Sequence, residues 1–174
     1  MIPLPAAISS GFTWSRRSRT DYEVKLKGSV ASTLRRLSLW SSNYEATTLD
    51  GTFRIQRKNW CGTKAEIVDA ASQRQIASFE SGWRRTSTLT FADGQRFHLE
   101  RNGCWRALWN VTAENGEPVL LLQMRERTAN APIEANLQAN RLSLIVLFIL
   151  YRVQLAEEKG AAAATVGAVI AAIS

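Results

Sequence analysis

The stretch from Leu144 to Tyr151 is apolar at every position, and it sits inside a longer run, Leu142 to Leu155, whose only clearly polar members are Ser143, Arg152 and Gln154. Its period is not 2 and it contains no turn residue, so it predicts a helix. A helix that is apolar all round must be buried all round, in lipid or in protein. Length separates the two cases. A membrane span needs roughly 20 apolar residues to cross about 30 Å of hydrocarbon. At ~1.5 Å per residue this run covers about 21 Å, and Gln138, Asn140 and Arg141 lie just upstream. It is therefore expected to be enclosed by protein, with no transmembrane span. Glu157 and Glu158 follow it, which is mildly unfavourable for the helix dipole.

The rest of the chain reads as strands. Tyr22, Val24 and Leu26 alternate with polar residues, as do Phe53 with Ile55 and Phe97 with Leu99. Trp105, Ala107, Trp109 and Val111 share one face. Such alternation marks strands with one dry side. Val119 to Leu122 is continuously apolar, which predicts burial on both faces. Leu34 to Trp40 fits either a strand or one helical turn. Asp50-Gly51, Asp93-Gly94, Asn102-Gly103 and Asn115-Gly116 are hairpin dipeptides, because both residue types tolerate positive φ. About twelve strands fit before residue 140. Asp50-Gly51, Asn59, Cys61, Val68 and Ala70 recur 43 residues later as Asp93-Gly94, Asn102, Cys104, Val111 and Ala113. Phe53/Ile55 and Phe97/Leu99 are one residue out of that phase, which predicts a β-bulge.

An eight-stranded barrel is filled by its own side chains, whereas about twelve strands leave room for one helix. A strand of six or seven residues is roughly 20–23 Å long, which matches the helix. The predicted fold is therefore mainly β: a closed antiparallel barrel of about twelve strands enclosing a C-terminal hydrophobic α-helix over 142–155. Residues 1–10 read as an irregular lead-in and 11–159 as one domain. Residues 160–174 read as a short Ala-rich helical tail, in which Gly160, Ala164, Ala168 and Ala172 share a small face.

Many short strands followed by one apolar helix resembles the tubby C-terminal-like superfamily, which includes LURP-one-related proteins and phospholipid scramblases. The resemblance to its small bacterial members covers roughly residues 12–158. It rests on strands such as Gly51 to Arg57 and Ala65 to Ala70, and on the apolar helix ending in Arg152 before the Ala-rich tail. The resemblance implies a β-barrel with a central hydrophobic helix. It also implies lipid or membrane association for some members. It transfers no binding residue, because the phosphoinositide motif and the acidic calcium loop of the superfamily have no match here.

Charge gives the partner classes. Lys and Arg outnumber Asp and Glu by 7, which favours an anionic partner. Residues 1–36 hold Arg16, Arg17, Arg19, Lys25, Lys27, Arg35 and Arg36 against only Asp21 and Glu23. With Trp14 beside Arg16 and Arg17, these seven form the candidate lipid-binding face, since aromatic rings beside cations suit membrane interfaces. A protein-interaction scaffold, self-associating through the Ala-rich tail, is the second reading. Nucleic acid fits least, because no groove-reading helix or stacking motif accompanies the charge. Catalytic signatures are lacking: there is no nucleophile elbow, Walker or dinucleotide motif. His98 is the only histidine and its parity places it outside, so no metal site or cofactor is expected.

Met1 to Ile8 lacks the basic n-region and the unbroken apolar run of a secretory leader. A cytoplasmic protein is expected, peripheral to a membrane, with Cys61 and Cys104 as reduced, buried thiols. Titration of the denatured, unreduced protein should then find two reactive thiols; finding none would mean that the cysteines are bridged.

Overall fold

The computed structural model describes residues 12–18, 20–26, 29–38, 41–82, 86–102, 108–123, 128–130, 141 and 144–157. The strands are β1 (Phe12–Arg16), β2 (Asp21–Leu26), β3 (Ser29–Arg36), β4 (Tyr44–Thr48), β5 (Gly51–Arg57) and β6 (Lys64–Asp69). They continue as β7 (Gln75–Ser81), β8 (Thr86–Phe91), β9 (Arg96–Asn102), β10 (Leu108–Ala113), β11 (Pro118–Gln123) and β12 (Thr128–Asn130). Each strand pairs antiparallel with the next in sequence, in one sheet. β1 also meets β12, through the two pairs Phe12↔Ala129 and Thr13↔Thr128. Among the described residues, 144–157 form a helix, α1, and Arg141 ahead of it is also helical. The helix runs two residues past the expected end at Leu155. Among the described residues no helix is long and apolar enough to cross a membrane.

Strand alternation builds the interior. Tyr44, Ala46, Phe53, Ile55, Phe79, Leu89, Phe97, Leu99 and Val111 point inward and are buried. Every side chain from Leu144 to Tyr151 is buried with them, at 0–2 % exposure. Fully burying one such apolar side chain contributes roughly 1.5–3 kcal/mol, so α1 and the sheet depend on each other. Small residues also line the interior: Ala46, Ala65 and Ala77 are buried on the strands. Aromatic rings then lock the fit. Phe148 meets Phe79 with centroids 4.7 Å apart, and Tyr151 meets Tyr44 edge-on at 5.2 Å.

Two expectations are corrected, and one left open is decided. The 43-residue repeat needs no bulge within β5 or β9, because neither the β4–β5 nor the β8–β9 pairing shifts register. The phase difference arises in the turns: two residues, Leu49 and Asp50, join β4 to β5, whereas four, 92–95, join β8 to β9. Gly51 and Gly94 have φ of 144° and 90°, which only glycine adopts freely. Second, β11 is not buried on both faces. Leu120 and Leu122 are buried while Val119 and Leu121 are half-buried, as expected for a single sheet with helix on one side and water on the other. Third, Leu34 to Arg36 is strand, and Leu37 just beyond it is 40 % exposed. Cys104, Trp105, Ala107, the lead-in 1–10 and the tail 160–174 lie outside the described residues.

Successive antiparallel pairing sorts the connections onto two rims. β2–β3, β4–β5, β6–β7, β8–β9 and β10–β11 turn at the rim where α1 begins. The β5–β6 turn and the C-terminal ends of β1, β3, β7 and β9 lie at the rim where α1 ends. Leu147 sits at the middle of the buried run, at 0 % exposure. Leu147→Arg should therefore fail to fold, because a buried, unpaired charge costs several kcal/mol. Phe148→Ala should fold with about 3–5 kcal/mol less stability, measured by urea denaturation. A cooperatively melting Leu147→Arg protein of wild-type stability would contradict this placement.

Candidate functional site

Both ends of α1 are held by arginines. At its start the Arg141 guanidinium donates to the Asp93 carboxylate and to the Gln95 side-chain oxygen, and lies over the Phe91 ring at 5.3 Å. At its end Arg152 donates to the Gly62 carbonyl at 2.7 Å and lies over Phe79 at 4.7 Å. Arg16, from β1, donates to Glu157 at 3.1 Å and to Gln154 at 3.4 Å, and the Tyr22 hydroxyl also reaches Glu157. The acid that is unfavourable for the helix dipole is thus neutralised by a strand. Burial pushes the Arg152 pKa below its ordinary value, with a smaller opposing effect from Tyr151.

The seven residues of the candidate basic face separate once the strands are in place. Arg17, Lys25 and Arg35 project from the outer surface of β1–β3. There they interleave with acids: Arg17 and Lys25 both pair with Glu23 at 3.3 Å, and Arg35 pairs with Glu45 at 3.1 Å. Arg16 has the inward parity of Trp14 and caps α1. Arg36 has the inward parity of Leu34 and donates to the Ser41 carbonyl at 2.7 Å. Arg19 and Lys27 lie outside the described residues. Trp14 is 4 % exposed and belongs to the core, not to the outer surface.

Two concave regions lie elsewhere. A groove of about 710 Å³ crosses the outer face of β6–β9, lined by Glu66, Ser78, Thr88, Arg96 and His98 among others. His98 is exposed there, with Nδ1 3.5 Å from Thr88 Oγ1. Its charges are matched: Lys58 with Glu66 at 2.7 Å, Lys64 with Glu80 at 3.0 Å and Arg96 with Glu114 at 3.6 Å. A smaller cavity of about 260 Å³ lies where α1 begins, lined by Arg74, Ile76, Phe91, Asp93, Arg141 and Leu144. Among the described residues no three His, Cys, Asp or Glu side chains gather as metal ligands. Cys61 is half-buried in the β5–β6 turn, not fully buried, with its sulfur 3.5 Å from Thr63 Oγ1.

The feature that the sequence reading passed over is Trp60, in the same turn, which is 87 % exposed. The available signal was its setting: Asn59 before it and Gly62 after it are turn formers, so the ring has no strand parity to place it inside. No protein-family model matches the chain, and no curated protein or solved structure matches it.

Asp93 gives a pH test of the Arg141 clamp. The Gln95 amide, and then Arg141, hold its carboxyl below the ordinary carboxylate range. A folded pKa below the unfolded one contributes stability above about pH 3.9, and that contribution is lost as pH falls through the lowered folded value. Asp93→Asn should therefore be less stable than wild type at pH 7, with the gap closing in acid. Urea melts at both pH values check this; a gap that does not change with pH would contradict it.

Proposed function

We propose that the protein is a non-enzymatic binding module that associates reversibly with anionic lipid surfaces. One observation carries the reading. Among the described residues the buried polar side chains are Ser32, Thr48, Ser87 and Gln154, none of them charged. The interior is occupied by α1 and offers no acid–base pair to a substrate. The described charged side chains therefore meet solvent, and the chain's net charge of +7 favours an anionic partner. Each basic residue close to such a surface contributes on the order of 1 kcal/mol, and the attraction fades within a Debye length.

In this reading the strands close as a barrel at the short β1–β12 junction, which removes both sheet edges. The chain is then a small tubby-like protein, cytoplasmic and peripheral to the membrane. Arg17, Lys25 and Arg35 remain the described members of the basic face that reach outward. Their pairing with Glu23 and Glu45 limits what they add, so the attachment is weak and salt-sensitive.

The test is co-sedimentation with phosphatidylcholine vesicles and with vesicles that also contain phosphatidylserine, at low and high salt. Binding is expected only to the anionic vesicles, and to fall as salt rises. Charge reversal at Arg17 and Arg35 should weaken it with little change in melting temperature. Equal, negligible sedimentation with both lipids at low salt would end this reading.

A further inference from the structure

We propose that the rim where α1 ends is the membrane-facing end of the molecule, with the Trp60 ring as its interfacial anchor on an anionic bilayer. The inference rests on the lipid-binding reading above and adds to it an orientation and a residue.

Trp60 is held outward by a built turn. Lys58 N–H donates to the Lys64 carbonyl, and Gly62 N–H donates to the Asn59 carbonyl. Asn59 bonds twice more within the turn, accepting from Lys64 N–H at 3.0 Å and donating to Thr63 Oγ1 at 2.6 Å. Gly62 has a φ of 71°, and its carbonyl accepts from Arg152 of the buried helix. The turn is thereby tied to the core, and the indole at its tip still stands 87 % in water. A large aromatic ring on a rigid support gains free energy when a partner takes it out of water. Trp in particular favours the water–lipid interface, where its apolar body and polar N–H are both satisfied.

Charge says which partner. Arg57 and Lys58 precede Trp60 and Lys64 follows it. Arg17 follows β1 and Arg36 ends β3 at this rim, and Leu37 beyond β3 is 40 % exposed. The turns of the opposite rim carry Asp50, Asp93, Glu114 and Glu117 together with Arg74, and Arg141 stands beside them at the start of α1. Lys58, Lys64 and Arg17 are each paired with an acid, Glu66, Glu80 and Glu23, so the difference between the two ends is one of degree: a projecting aromatic beside several cations at one, acids with fewer cations at the other. An anionic surface favours the first end over the second.

The experiment is a vesicle titration of the full chain as wild type, Trp60→Ala and Leu49→Ala, using phosphatidylserine–phosphatidylcholine vesicles. Leu49 is the control: it is 47 % exposed, but in a turn of the opposite rim. Trp60→Ala should bind about tenfold more weakly, the loss expected for one large apolar side chain left in water. Leu49→Ala should bind like wild type, and both variants should keep the wild-type melting temperature. Wild-type binding that Trp60→Ala leaves intact, or that Leu49→Ala weakens equally, would overturn the orientation and leave the lipid reading standing. No binding by wild type would overturn both.

Discussion

Burial of Leu144 to Tyr151 inside the sheet is the constraint on which the other features depend. Eight consecutive apolar side chains cannot be hidden by packing against one surface, because a helix turns them in every direction. The sheet must therefore curve over α1, and it must be wide enough to do so. That requirement explains the buried alanines on β4, β6 and β7 and the aromatic contacts from Phe148 and Tyr151. It also explains why polar contacts concentrate at the two ends of the helix, where its backbone groups and side chains first meet water. Arg141 serves one end; Arg16 and Arg152 serve the other.

A filled interior pushes function outward and gives the two rims different characters. One rim is made of tight turns with Asp and Asn-Gly chemistry, of which Asp69 is an instance. Its carboxylate accepts from Ser72 N–H, the Ser72 hydroxyl and Ala71 N–H, which lowers its pKa. The other rim gathers Arg17, Lys58, Lys64 and the exposed Trp60. Because Arg152 reaches from α1 to the Gly62 carbonyl, the turn that presents Trp60 is fastened to the most buried element of the molecule.

The helix and most inward-facing residues were legible in the sequence, since both follow from local periodicity. Tyr22, Val24, Phe53, Ile55, Phe97 and Leu99 alternate as written and are buried as written. The exposed position of His98 follows from the same parity. The basic face was less legible. Arg16 is two residues from Trp14, so its inward parity could have been read, but its partner Glu157 is 141 residues away. Glu45, which pairs with Arg35, also lies outside the segment whose charges were counted. Cross-strand neutralisation is non-local and does not show in a running charge sum. Turn length was equally hidden: a one-residue phase slip between similar strands can be a bulge or a longer turn, and only the register decides. Trp14 and Trp60 exchanged roles for a related reason. Proximity to arginines is a weak guide to exposure, whereas strand against turn context decides it.

Amide hydrogen exchange tests the central claim most directly, because it reads the free energy at which each backbone segment first meets water. The account expects the amides of 145–151 to exchange only through global unfolding, at the same free energy as the slowest amides of β5, β6 and β9. Exchange of those helix amides at a clearly lower free energy than the sheet would mean that α1 can leave while the strands stay paired. That result would contradict a fold in which the helix is the core the sheet is built around.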